Sequence, residues 1–475
     1  MRIRGLRSLV LLGLLLAPVL PGQAYDPARR KLQGTAVRKL HEVATWCTRR
    51  GLGREELRVH QLIVQIDADD AVSRKRLGFE KDGSGVWRQG RRPTWPEIGT
   101  EKLGELFTRR QEIVNVYRAG LLKLLQRNLR KLDPGRRHRE LVSLLPLETG
   151  LDEIVSRLDQ VKIKGKRTLP ETAIANARRP VLRALGSSCL AVASEPKTIE
   201  PDATEKGVGL EWKGTVATRY IRVLSTESPE GAVEAARATE AVGELFRLVF
   251  ETKTAHRKGL TAYLVSSEQE KAHFANHHPN VSQALRTQLG PNHGGWLDAY
   301  RVIHYGAGRG ARVDAACRQV LSNYVADAWK TTPSQGWAYE GAGLWLTHTV
   351  TGTRMTWFTR PESGSTAKEI KERRRLCKPK TDWMKEAKKI MSGDSVLTIS
   401  AVTSRNSADL KPKEVVHSYA FCSYLIEGFP VRAAKIFADA ASGDRLSIVI
   451  EKNLGWSMDK LDRRFSKWVK ERPKK

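Results

Sequence analysis

Few side chains in this 475-residue sequence are of a type and spacing that could do chemistry. Glu340 lies in the run Trp337-Ala338-Tyr339-Glu340-Gly341, where its carboxylate could ligate a metal or carry a proton. His304, His348 and His417 fall in the same half of the chain. His348 is two turns beyond Glu340 on one predicted helix, too far at about 1.5 Å rise per residue to share an ion with it. Ordinary hydrogen bonding is the role expected of all three. His277 and His278 precede Pro279, and because adjacent residues point in different directions they are given no catalytic role. No Gly-x-Ser-x-Gly element suggests a serine hydrolase. Cys47, Cys189, Cys317, Cys377 and Cys422 are widely spaced with no Cys-x-x-Cys pair, so neither a zinc knuckle nor a dense disulfide framework is readable. An odd number leaves at least one unpaired in a monomer, and spacing does not choose partners for the rest.

The elements that must position these residues begin after a leader. Arg2, Arg4 and Arg7 precede an apolar run from Leu9 to Leu20, and Gly22-Gln23-Ala24 supplies small residues, so residues 1–24 read as a signal peptide of bacterial type. The run is short of the roughly 20 residues that span a bilayer, and no later stretch approaches that length. A secreted, periplasmic or cell-envelope protein starting near Tyr25 is expected. Residues 25–97 read as a short helical module, with Leu40, Val43, Ala44 and Cys47 on one face. Ile66-Asp67-Ala68-Asp69-Asp70-Ala71, followed by Leu77-Gly78-Phe79, resembles the junction of tetratricopeptide-like repeats. Too few repeats are present to stack into a solenoid, so a packing role is expected. Asp82-Gly83 marks a hairpin turn. Residues 98–193 are helical and basic: Leu121, Leu122, Leu124, Leu125 and Leu129 interleave with Arg118, Lys123, Arg127, Arg130 and Lys131. That stripe is read as a packing face, with a break at Pro134-Gly135 and further helices from Arg139 and Leu151. Residues 194–207, rich in Pro, Glu, Thr and Lys, read as a linker.

From residue 208 the pattern alternates. A strand from Trp212 to Val223, a helix from Pro229 to Phe250, a strand from Leu260 to Val265, a short helix at Ser267, strands around Arg301 to Tyr305 and a helix from Val313 to Ala328 predict an α+β fold. This order, closing on Trp337-Ala338-Tyr339-Glu340-Gly341, resembles the peptidase MA-like gluzincins. There an H-E-x-x-H helix is followed, after a loop containing Pro, by a helix with W-x-x-E-G; Trp337, Glu340 and Gly341 match, with Pro333 ahead of them. Tyr419 to Leu425, Ala433 to Ala440 and Leu454 to Val469 resemble the closing helices. The resemblance implies a thermolysin-like C-terminal domain over 208–475, a mixed sheet with a helical lobe, behind a mainly α-helical N-terminal region.

In that family two His at i and i+4, a Glu from the next helix and a water hold zinc, and the Glu after the first His takes a proton from the water. A family spacing of 17 residues before Glu340 places Asn323 where the second His belongs, so the frame reads Gln319-Val320-Leu321-Ser322-Asn323. Gln319 and Asn323 are poor zinc ligands, and Val320 cannot be a base. The expectation is that zinc is lost and that Gln319 and Asn323 hydrogen-bond to each other or to Glu340. Trp337, Gly341 and Tyr419 are expected beside the inherited cleft, Tyr419 as a packing aromatic.

The formal charge of +30 points to an anionic neighbour or a solvated basic surface, without choosing between them. Lys371, Arg373, Arg374, Arg375, Lys378 and Lys380 could meet phosphates, but no aromatic platform is interleaved for bases, so nucleic acid is not the expected partner. The function expected is a non-catalytic pseudopeptidase that binds protein or an anionic envelope polymer, or acts as a scaffold. The alternatives are an active zinc peptidase with an unusual site and a purely structural envelope protein.

Overall fold

Parallel strands are covered on both faces, and Leu260–Val265 is buried at all of its positions for that reason. The computed structural model describes residues 25–91, 93–94, 102–148, 151–252, 259–290, 292–298, 300–306, 308–359, 364–392 and 397–472. The expected leader at 1–24 lies outside them. Six strands form a mixed sheet in the order Lys197–Thr198, Gly214–Ala217, Ile221–Ser225, Leu260–Val265, Arg301–Tyr305, Gly294–Trp296. The central three run parallel and the outer ones antiparallel to their neighbours. Side chains alternate between the faces. Val223, Ala262, Leu264 and Val302 join the main core, whereas Leu224, Tyr263, Val265 and Ile303 meet Phe274 and Leu289 in a smaller cluster on the other side. The fold is thus α+β, as the alternation predicted; the predicted strand Trp212 to Val223 is a hairpin of two.

The N-terminal region is helical: Tyr25–Arg49, Gly53–Ile66, Ala71–Arg76, Leu103–Arg127, Pro134–Val142, Asp152–Arg157 and Pro170–Val192. Asp70 caps the third of these by accepting from the Ser73 amide, so the acidic turn ends one helix and starts the next. The Asp82-Gly83 turn joins Phe79–Lys81 to Trp87–Gln89. Pro134 is less a break than a first helical residue, preceded by Asp133 as cap. Two elements had no clear signal, the hairpin Val161–Ile163 with Lys166–Thr168 and the long helix Pro170–Val192.

These helices share one apolar cluster with the C-terminal half, running from Tyr25 to Val469. A clasp of buried charge reinforces it. Glu171, fully buried on the Pro170–Val192 helix, accepts from Arg464 at 2.5 and 2.9 Å and from the Tyr424 hydroxyl at 3.0 Å. Glu427 likewise takes Arg179 at 2.9 Å and Arg472 at 3.0 Å. The segment expected as a linker, 194–207, is corrected by the same logic. Lys197–Thr198 is the edge strand, and Ala203–Gly207 is a helix with a capping box whose Glu205 is buried against Arg222 at 2.8 Å. Its Pro and charged residues serve a strand end and a cap, which composition alone cannot tell from a free connector.

Candidate functional site

Two helices meet where the sequence placed its one candidate carboxylate. Arg309–Trp329 leaves the last parallel strand and ends at Lys330 in the left-handed region (φ 60°). Gly336–Thr351 then returns across it, ending at Gly352. A third segment closes the corner: both carboxylate oxygens of Asp314 accept from residues 353–356, at 2.6 Å from the Thr353 hydroxyl and 2.8 Å from the Thr356 amide. This fixes the backbone so that the Phe358 amide donates to Glu340 Oε1 at 3.0 Å.

The other Glu340 oxygen belongs to Arg318. Its Nη2 lies 3.0 Å from Oε2, with the side chains 1% and 0% exposed. Arg318 also donates through Nε to the Thr356 carbonyl at 3.2 Å and stacks over the Phe358 ring at 4.9 Å. Burial pushes the Glu340 carboxyl up, and Arg318 and the Phe358 amide oppose it. A guanidinium has donors only and keeps its charge in proteins, so the group facing Glu340 has no lone pair for a metal. Glycine at 343 makes room for it, since a Cβ there would come within 1.5 Å of Arg318 Nη1.

Comparison of the sequence with protein-family models and with curated proteins gave no match.

Zinc does not fit these donors. The corner presents one carboxylate already held by a permanent cation, and among the described residues no three His, Cys, Asp or Glu side chains could hold a metal.

The expected contacts around Glu340 are corrected. Gln319, Val320 and Asn323 are all buried on the Arg309–Trp329 helix, yet neither amide hydrogen-bonds to Glu340. Gln319 Oε1 has no hydrogen-bond partner among the described residues. Each step along a helix turns a side chain by about 100°. Arg318 and its i+4 neighbour Ser322 therefore hold the phase that the 17-residue spacing gave to Gln319 and Asn323. Ser322 is buried and donates to the Arg318 carbonyl at 2.9 Å. A frame one residue earlier, Arg318-Gln319-Val320-Leu321-Ser322, was present in the sequence and puts an amide where a general base would stand.

Trp337, Gly341 and Tyr419 are interior packing residues. Trp337 stacks on Phe437 with ring centroids 5.6 Å apart. A Cβ on Gly341 would lie 2.5 Å from the Ser418 carbonyl, so glycine permits the close crossing of helix Pro412–Gly428. Tyr419 packs on Trp383 at 5.1 Å and reaches His348 Nδ1 at 3.3 Å. His277 is exposed and His278 buried, as adjacent residues should be. Burial lowers His304 to about 3 and His417 to about 4, so both rings are neutral at ordinary pH.

Proposed function

We propose that the protein is an exported, non-catalytic peptidase-like binding protein in which an internal arginine supplies the charge that zinc supplies in the gluzincins it resembles. One observation carries the reading: Arg318 meets Glu340 at 3.0 Å in a fully buried corner between consecutive helices. Hydrolysis through such a corner needs a general base and an activated water beside the carboxylate. Val320 in the spacing-based frame and Gln319 in the Arg318 frame offer neither. Retention of Trp337, Glu340 and Gly341 beside these changes supports a kept fold with its chemistry removed. Export rests on the basic and apolar pattern of residues 1–24.

The test is hydrolysis of an unfolded protein substrate by the purified chain, with added zinc and with a chelator, alongside metal analysis. No turnover and no stoichiometric zinc are expected under either condition. Chelator-sensitive cleavage that disappears in Gln319→Ala, or one tightly held zinc per chain, would overturn the reading. Fractionation with N-terminal sequencing tests export, the expected mature start being Tyr25.

A further inference from the structure

Away from the Arg318 corner, helices Tyr25–Arg49 and Leu103–Arg127 lie side by side and leave a cavity of about 850 Å³ along their outer seam. They run antiparallel: Arg109 stacks over Trp46 at 5.2 Å at one end, and Leu32 reaches the bare Cα of Gly120 toward the other. The floor is apolar, made by Leu32, Ala36, Ile113, Tyr117 and Leu124, and Val116 on its wall is 59% exposed.

The charge around the strip is uneven. Glu42 and Glu112 line only the end near Trp46, where they stand among Lys39, Arg109 and Lys164. At the opposite end, Lys31, Lys123 and Arg127 are exposed, make no ion pair among the described residues, and share the lining with no carboxylate. The cavity therefore has a cationic mouth and an apolar body.

Its length and charge choose the occupant. The lining runs from Arg109 to Arg127, roughly 27 Å of helix at 1.5 Å per residue, room for a long stretched tail on the apolar floor, and the cations at one end, with no carboxylate beside them, match a single anionic headgroup. A single extended hydrocarbon chain fits. We infer that this groove binds a single-chain anionic amphiphile of the long-chain carboxylate type, its headgroup accepting hydrogen bonds from Lys31, Lys123 and Arg127 and its tail lying along the seam over Gly120. This goes beyond the reading of the Arg318 corner and does not depend on it.

The probe is a fluorescent sixteen-carbon carboxylate titrated into the full chain below its micelle concentration, with the alcohol of the same chain length for comparison. Saturable binding at one per chain is expected, with the alcohol at least tenfold weaker and the affinity falling as salt rises. The triple variant Lys31→Glu, Lys123→Glu, Arg127→Glu should lose at least tenfold. Reversal of an equally exposed set, Lys371→Glu, Lys378→Glu and Lys380→Glu, should bind like the parent, which separates the mouth from net charge. Gly120→Met should block the tail, and its circular dichroism and melting point show whether it has folded; if it has not, the charge triple decides. Equal binding of acid and alcohol, equal losses in the two triple variants, or binding of an acidic amphipathic peptide in place of the carboxylate would overturn the assignment.

Discussion

Gly343 and Arg318 compete for one volume: the arginine's Nη1 occupies space only 1.5 Å from where a Cβ on residue 343 would be. In a helix interior, Gly→Ala normally stabilises by about 1 kcal/mol. Here the sign should reverse. Gly343→Ala displaces the guanidinium and leaves Glu340 buried without its partner, a loss of about 3–5 kcal/mol for a broken buried pair. Urea unfolding measures it, and in an Arg318→Ala background the same substitution should cost far less. Equal costs in both backgrounds would mean that the clash lies elsewhere.

Helix phase makes a second prediction. Arg318→His, Gln319→Glu and Ser322→His together present ligands on the face that meets Glu340, and should create zinc affinity measurable by calorimetry. The set Gln319→His, Val320→Glu and Asn323→His, one residue later, should not. Zinc uptake by the second set alone would restore the original frame.

The Glu171 clasp is predicted to hold the two halves as one folding unit. Glu171→Ala strands Arg464 in the interior, and a loss of about 3–5 kcal/mol is expected from denaturant unfolding. A chain starting at residue 208 lacks Glu171 altogether and should show no cooperative transition. A sharp, native-like melt of that fragment would show the clasp to be dispensable.

What the sequence disclosed follows from how local each signal is. The strands Leu260–Val265 and Arg301–Tyr305 and the helices Pro229–Phe250 and Arg309–Trp329 were readable because their apolar periods are short-range, whereas the two-residue edge strand Lys197–Thr198 is too short to carry a period. The Asp82-Gly83 turn, equally local, was readable too. The partner of Glu340 was not. It depends on the phase between two helices, which the turn through Lys330 sets, and an error of one residue rotates the answer by about 100°. Arg118 stands among the basic residues interleaved with the leucines of its helix, yet unlike Lys123 and Arg127 it is buried, against Glu148 at 2.5 Å. No periodicity reveals that a distant acid will neutralise a given arginine.

Acid should weaken the fold through His304 and His417. Burial holds their folded values near 3 and 4, below the ordinary 6.5. Above pH 6.5 both states are neutral and nothing is lost. Below it the unfolded chain takes up protons first, so stability falls by up to about 1.4 kcal/mol per pH unit per ring until the folded values are reached. Urea midpoints at pH 7.5 and 5 should therefore differ less in a His304→Gln, His417→Phe variant than in the parent. An unchanged difference would remove these rings from the account.

All five cysteines are free thiols, four of them buried. Burial pushes Cys47, Cys189 and Cys377 up to about 12, and Cys317 and Cys422 well above their usual value. Since the thiolate is the reactive form, a thiol reagent at pH 8 should label the native protein slowly and count five groups in denaturant without reductant. A count of three would reveal a bridge.

The clasp also sets an order of events. Arg464 reaches Glu171 across 293 positions of chain, and Trp456 donates to the Ser156 carbonyl across 300. Contacts of such separation form late. A nascent chain that has not reached residue 464 carries Glu171 with no counter-charge, so the helix bearing it cannot bury that face at low cost. Completion of the native state therefore waits for synthesis of residues 456–472, and until then the Glu171 face of its helix stays open to water.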